Sequence, residues 1–159
     1  NPDLELHPGS VAVMRSALRP GVGVVAPRVL DEHGDLTWSL RNEPTILRAT
    51  GLSKTGWEVF DEYVRRPEKY AYPRNVDWAL GAALLVDRAC YERVGGWDET
   101  FFLYSEETDF CLRARDLGWR TRYEPAAVVS HVGGGSGRSA RTHAMQVVNR
   151  VRLTGGVIG

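Results

Sequence analysis

The feature that most constrains the fold of this chain is the junction at Asp87. Residues 76–86, whose segment 79–86 is apolar throughout apart from Gly81, have the length and composition of a buried strand. Asp87 follows at once and can cap a helix over residues 88–94, which Gly95-Gly96 would end. A strand that feeds directly into a capped helix is the unit of an α/β fold, and it predicts residues 76–86 as a central strand with helices against it.

A second helix is expected over residues 106–117, with Ser105 as its cap, Phe110, Cys111, Ala114 and Leu117 facing the core, and Gly118 as its stop. Upstream, Val11, Met14, Ala17 and Leu18 recur at helical spacing from Ser10 until Pro20-Gly21. Residues 22–26 then read as a buried strand, and the turn over 31–35 leads to a short strand at 36–40. Downstream, residues 119–123 alternate as a strand does, Pro125 is expected to break it, and 126–132 form a second apolar run. Residues 142–153 suggest a basic, amphipathic final helix carrying Met145, Val148 and Arg152. Between 41 and 75, Pro44, Gly51, Gly56, Pro67 and Pro73 interrupt the aromatics Trp57, Phe60, Tyr63, Tyr70 and Tyr72. That stretch reads as a partly helical, variable insertion.

Composition narrows the function classes. The 159 residues are 43% hydrophobic and 25% charged, as in a soluble globular domain. The 20 basic residues are cancelled by 20 acidic ones, so the charge footprint of a nucleic-acid binder is missing. No apolar run approaches the roughly 20 residues that span a bilayer. Cys90 and Cys111 have neither disulfide-framework nor metal-site spacing and read as buried thiols. The opening Asn1-Pro2-Asp3, without a methionine or a signal pattern before it, reads as an excerpt of a longer chain.

Candidate chemistry gathers at three places: Asp3, the acid-fronted helix start with Glu106, Glu107 and Asp109, and His131 before a glycine run. Each has a plain structural reading beside the functional one. Acids in a first helical turn complement the macrodipole, Asn-Pro-Asp is a turn, and a histidine ending a strand is often just hydrogen-bonded. The run Gly133-Gly134-Gly135-Ser136-Gly137 lacks the lysine of a P-loop and is better read as a hinge or lid. Arg138, Arg141 and His143 beyond it could contact phosphate or form a solvated basic face.

Taken in order, Val76-Asp77-Trp78-Ala79-Leu80-Gly81-Ala82, Val94-Gly95-Gly96-Trp97-Asp98-Glu99, Phe101 through Arg113 with Ser105-Glu106-Glu107-Thr108-Asp109, and Tyr123-Glu124-Pro125 through His131-Val132-Gly133-Gly134-Gly135-Ser136 form a series of motifs. The series resembles the family-2 glycosyltransferases, in particular bacterial rhamnosyltransferase-like members. It covers almost the whole chain. The resemblance implies the C-terminal part of a GT-A fold, a mixed sheet flanked by helices, cut off upstream of most of its nucleotide-binding half. Residues 1–132 would be the acceptor-side catalytic part, 133–141 a flexible loop, and 142–159 a C-terminal helix and tail.

The same resemblance implies roles. Asn1-Pro2-Asp3 looks like the family's metal-binding acidic turn with Asn1 in place of its first aspartate, which leaves Asp3 as the acidic ligand. His131 falls where a histidine joins the metal, Mg²⁺ or Mn²⁺. Glu107 falls where the acceptor-activating carboxylate sits, with Glu106 and Asp109 beside it. Trp78 and Trp97 look like the aromatics of the acceptor site, and Gly133, Gly134, Gly135, Ser136 and Arg138 like a lid over the diphosphate. Neighbouring helical residues differ in direction by about 100°, so only one of Glu106 and Glu107 is expected to face the cleft. The helix N-terminus is expected to keep Glu107 ionised.

The implied activity is transfer of a sugar, with inversion, from a nucleotide-diphospho-sugar to a glycan or lipid-linked acceptor in cell-surface polysaccharide synthesis. The implied location is the cytoplasm, with peripheral contact at the inner face of the membrane. A glycoside hydrolase is disfavoured, because its acid and base flank the scissile bond and Glu106, Glu107 and Asp109 crowd one turn. A non-catalytic sugar- or nucleotide-binding module is the other alternative.

Overall fold

The computed structural model of the chain describes residues 3–45, 48, 57, 60–101, 103–132 and 140–155. The strands are β1 (Leu4–Leu6), β2 (Val22–Leu30), β3 (Leu40–Arg41), β4 (Arg74–Val76), β5 (Trp78–Ala79), β6 (Leu85–Val86) and β7 (Arg120–His131). The helices are α1 (Ser10–Ala17), α2 (Arg88–Val94), α3 (Glu106–Asp116) and α4 (Ala140–Gly155), with a 3₁₀ turn at Pro67–Tyr70. The mixed sheet with helices against it is the α/β architecture expected from the strand and helix signals.

The centre of the sheet is β7, not the apolar run before Asp87. One edge of β7 pairs in parallel with β2, while its other edge pairs antiparallel with β4 near its start and with β1 at its end. The register against β2 jumps from Pro27↔Glu124 to Arg28↔Val128, so residues 125–127 bulge out of the ladder. Pro125, which has no N–H to donate, sits in that bulge and bends the strand instead of ending it. The two short apolar runs are therefore one strand of 12 residues.

The expected central strand over 76–86 is instead three pieces. Val76 ends β4, β5 pairs with β3 in a separate two-stranded sheet, and β6 is an edge strand against β2. The chain is pulled off a straight course at Asp77, whose Oδ2 accepts the Glu43 N–H at 2.7 Å, and bends again beyond Gly81. Three pieces can then reach three different partners.

The helices match the sequence signals closely. Asp87 caps α2 by accepting the Cys90 N–H at 3.0 Å, and Gly95 closes it in a left-handed conformation with φ 86°. Loss of such a cap costs about 0.5–2 kcal/mol. Helix α3 departs in two details. Leu117 lies just past its end and is 46% exposed, because the left-handed Gly118 turns the chain so that the Trp119 N–H reaches the Ala114 carbonyl. Ser105 makes no side-chain cap bond and is itself left-handed. On α4, Val148 is exposed, and the inward residues are Met145, Asn149 and Leu153.

Both faces of β2 are buried. Val24 packs with Cys90, Phe110, Cys111 and Ala114 from α2 and α3, while Val25 packs with Met14 and Ala17 from α1. Cys90 and Cys111 are free and buried, and burial raises their thiol pKa to about 11 and about 12. A third cluster holds Ala26, Leu40, Tyr70, Ala79 and Tyr123. Tyr70, from the poorly legible stretch, is core: its hydroxyl accepts the Leu40 N–H at 2.9 Å and its carbonyl accepts from the Tyr123 hydroxyl and Arg28.

Candidate active site

The acid-fronted start of α3 faces a cavity of about 610 Å³. Leu4, Met14, Gly81, Leu85, Trp97, Glu106 and Glu107 are among its walls. Both glutamates line it, so the expectation that only one could face the cleft does not hold. Their side chains are long enough for adjacent helical positions to converge at a helix end, where no preceding turn separates them. Glu107 also borders a second cavity of about 190 Å³, together with Arg41, Tyr63, Trp78, Tyr104 and Arg150. It therefore stands at the partition between an apolar space and an aromatic, cationic one.

Glu107 is held by its neighbours. Its Oε1 accepts the Gly81 N–H at 3.4 Å, and a Cβ built on Gly81 would lie 3.3 Å from the Glu107 Cβ. A side chain at position 81 would push Glu107 aside by a few tenths of an ångström, so the glycine favours this close approach. The second oxygen of Glu107, like one oxygen of Glu106, is buried and accepts no hydrogen bond from any described residue. A buried acceptor without a protein donor is a place where a ligand hydroxyl can donate.

Burial raises the Glu107 pKa above its ordinary 4.5, and the adjacent Glu106 charge pushes in the same direction. This opposes the expected effect of the helix terminus, which loses to desolvation here. The consequence for stability has a definite sign. A raised carboxyl pKa means the folded state prefers the protonated form, so the stability from this group is full below about pH 4.5 and falls as pH rises through the folded value. Glu107→Gln removes that penalty and should raise the Tm of the full-length protein at pH 7, by roughly 2–4 °C for each kcal/mol relieved. Near pH 4 the two melting curves should converge. Scanning calorimetry from pH 4 to 8 checks this, and an equal offset at every pH would contradict it.

Asp109 is placed differently. Its Oδ2 takes the Arg113 Nη2 at 2.6 Å, and Arg113 in turn donates to the carbonyls of Val94 and Gly96. Asp109 thus ties α3 to the end of α2 and borders a separate cavity. Trp97 is 39% exposed and rests on Phe110 with centroids 4.6 Å apart, so its ring forms a wall of the large cavity. Trp78 is 8% exposed and belongs both to the core cluster and to the second cavity, with Nε1 donating to the Asn42 carbonyl at 3.0 Å.

Asp3 and His131 are brought together by the β1–β7 ladder, in which Leu4 lies opposite His131. Asp3 Oδ2 is 3.4 Å from His131 Nε2, beside the Leu4 wall of the large cavity. Among the described residues no group of three or more His, Cys, Asp or Glu side chains converges. One carboxylate and one imidazole fit Mg²⁺ or Mn²⁺ as a partial ligand set, which diphosphate oxygens and water can complete. Asn1, Gly133, Gly134, Gly135, Ser136 and Arg138 lie outside the described residues, as do the side chains of Arg141 and His143.

Sequence reasoning missed Gly81 and Asn149. A glycine inside an apolar strand signal marks close backbone approach, and Asn149 interrupts the inward stripe Met145, Asn149, Leu153 with a polar residue. Both signals were present in the sequence.

An α/β sheet that delivers a glutamate pair to a cavity, with an Asp–His pair beside it, defines a glycosyltransferase domain of the GT-A class once the comparisons are added. The family model described as "Glycosyltransferase like family 2" matches residues 6–155, and the chain belongs to that family. It is 33% identical over 154 residues to the N-acetylglucosaminyl-diphospho-decaprenol L-rhamnosyltransferase of Mycobacterium tuberculosis, covering 90% of this chain and 49% of that protein. It is 29% identical over 117 residues to the low-salt glycan biosynthesis hexosyltransferase Agl10 of Haloferax volcanii, covering 72% and 35%. Over 56 residues it is 41% identical to the rhamnosyltransferase WbbL of Escherichia coli, covering 35% and 21%. The chain thus spans about half the length of the first of these relatives, or less of the others.

Proposed function

We propose that this chain carries the acceptor-side catalytic groups of a transferase that moves a sugar from a nucleotide-diphospho-sugar onto a hydroxyl of a glycan or lipid-linked acceptor, with inversion. The observation that carries the reading is Glu107: a buried carboxylate with one oxygen on the Gly81 N–H and the other free of described donors, lining a cavity walled by Trp97. Its raised pKa moves it toward the operating range of a general base.

In the step we propose, the acceptor hydroxyl gives its proton to Glu107 as its oxygen bonds to the anomeric carbon. The bond from that carbon to the diphosphate breaks, and the nucleoside diphosphate leaves with the electron pair. A single displacement inverts the anomeric centre. Asp3 and His131 would hold Mg²⁺ or Mn²⁺, which when bound supplies charge neutralisation for the diphosphate. Glu106 polarises the acceptor site, Asp109 fixes α3 through Arg113, and Trp97 and Trp78 offer aromatic faces to acceptor sugars. Residues 133–136 with Arg138 would cover the donor and exclude water.

The similarity to a rhamnosyltransferase of a decaprenyl-diphosphate-linked sugar and to a glycan-biosynthesis hexosyltransferase favours a rhamnosyl or hexosyl donor and a polyprenyl-diphosphate-linked acceptor, and the reading we adopt is a step in cell-surface polysaccharide synthesis. No helix among the described residues is long and apolar enough to cross a membrane. Such an acceptor would be met peripherally, at the cytoplasmic face, where the exposed Val147, Val148 and Val151 of α4 offer an apolar surface. The balanced charge of the chain gives no support to a nucleic-acid partner.

The test is transfer by the full-length protein from a panel of nucleotide-diphospho-rhamnose and nucleotide-diphospho-hexose donors to polyprenyl-diphosphate-linked N-acetylglucosamine, with Mn²⁺ present. NMR of the product should show the anomeric configuration inverted relative to the donor. The 159-residue chain alone should show negligible transfer. Retention of configuration, or release of free sugar in place of transfer, would sink the proposal.

A further inference from the structure

The described side chains of α4 are half-exposed or exposed with one exception: Asn149 is 5% exposed, against 50%, 53% and 64% for Val147, Val148 and Val151. A helix that buries an amide in preference to three valines is serving a polar contact. The Asn149 Nδ2 donates to the Leu103 carbonyl at 2.9 Å and to the Tyr104 carbonyl at 2.8 Å. Both acceptors belong to the turn that leads into Glu106 and Glu107.

That turn is sterically unusual. Tyr104 and Ser105 are successive non-glycine residues in the left-handed region, at φ 68° and 77°, and they alone among the described non-glycine residues have positive φ. Side chains disfavour this conformation, and it persists only where surrounding contacts over-determine it. Ser105 gives the helix no side-chain cap that could do so. The two Asn149 bonds supply such contacts, and α4 itself is held nearby by Arg152, which donates to the Thr100 carbonyl at 3.2 Å, and by Arg150, which pairs with Glu62.

We propose that Asn149 is a positioning residue, whose amide clamps the left-handed turn at Tyr104 and Ser105 and so aims Glu106 and Glu107 into the cavity. The inference rests on the proposed role of Glu107 as base. It extends that role by making Asn149 of the C-terminal helix a part of the catalytic apparatus that acts through the turn and not through substrate. Two N–H donors are required, since both partners are carbonyl oxygens, and a carboxylate of the same shape would repel them.

The experiment compares Asn149→Ala, Asn149→Asp and Asn149→Ala with Ser105→Gly in the full-length protein. Glycine adopts φ > 0 without the steric cost, so it lessens the need for the clamp. Losing two buried hydrogen bonds should lower kcat roughly 10–100-fold with donor KM unchanged. Asn149→Asp should be no better than Asn149→Ala, and the Ser105→Gly double variant should regain several-fold in kcat. Hydrogen exchange, which needs no substrate, should quicken at the amides of residues 105–109 while β2 and β7 stay protected. Unchanged kcat and exchange would overturn the proposal, as would a loss of protection spread equally over β2 and β7 or a full-activity Asn149→Asp. Should Glu107→Gln retain turnover, the base assignment fails, whereas the exchange result judges the clamp separately.

Discussion

Glu107→Gln in the full-length protein is expected to lower turnover by about 10²–10⁴-fold while donor affinity stays within about twofold, the signature of losing a proton acceptor used only in the transition state. The side-chain amide keeps an oxygen for the Gly81 N–H, so the geometry at the head of α3 survives. What it loses is basicity at the one oxygen no described residue occupies. Glu106→Gln is the internal control. Both carboxylates line the cavity, but Glu107 has one oxygen anchored on the Gly81 N–H, which leaves the other aimed for a ligand, and anchoring is what a base needs to meet a hydroxyl at hydrogen-bond distance. Glu106→Gln should therefore be milder, and it should lower the Glu107 pKa, because the neighbouring charge that helps raise it is gone. The acidic limb of the pH–rate profile should then move to lower pH. If Glu106→Gln abolishes transfer and Glu107→Gln does not, the base lies one residue earlier.

How much of this was legible in the sequence follows a physical pattern. Where a signal is local, it was readable: Asp87 and Gly95 frame α2 because cap chemistry depends on a few adjacent residues. Where the outcome depends on which partner a segment finds, it was not. Pro125 reads as a break, and only the parallel partner β2 shows that the strand bulges there and continues. The run before Asp87 reads as one strand, yet its pieces are claimed by β7, β3 and β2 in turn. Tyr70 stands among turn residues in sequence and becomes core through its contacts with Leu40, Arg28 and Tyr123.

The candidate site divides along the same line. The motif order brought Glu106, Glu107, Asp3, His131, Trp78 and Trp97 into view, since each stands in a recognisable local setting. The distinction between Asp109 and its neighbours is tertiary: its carboxylate is taken by Arg113, whose other donors reach the end of α2. The clamp on the Tyr104–Ser105 turn is more remote still, because Asn149 lies more than forty residues further along the chain. No window of sequence contains both.

The second large effect is expected at the Asp–His pair, and it should differ in kind from the first. His131→Ala should weaken Mn²⁺-dependent donor binding by roughly 10–100-fold and lower turnover with it, with partial recovery at high Mn²⁺, as loss of one ligand from an incomplete set requires. Asp3→Asn should act in the same way, since Asp3 Oδ2 and His131 Nε2 are 3.4 Å apart and would share the ion. A competing account is a clasp: the pair joins β1 to the end of β7, and its loss could loosen the strand that forms a wall of the cavity. The two accounts separate in titration calorimetry run with and without Mn²⁺. A cation site predicts a deficit only when the metal is present, together with an unchanged metal-free Tm, because the backbone ladder from Leu4 to Leu6 holds β1 without the side chains. A clasp predicts an equal deficit in both titrations and a lower metal-free Tm, and that result would remove Asp3 and His131 from the proposed chemistry while leaving Glu107 in place.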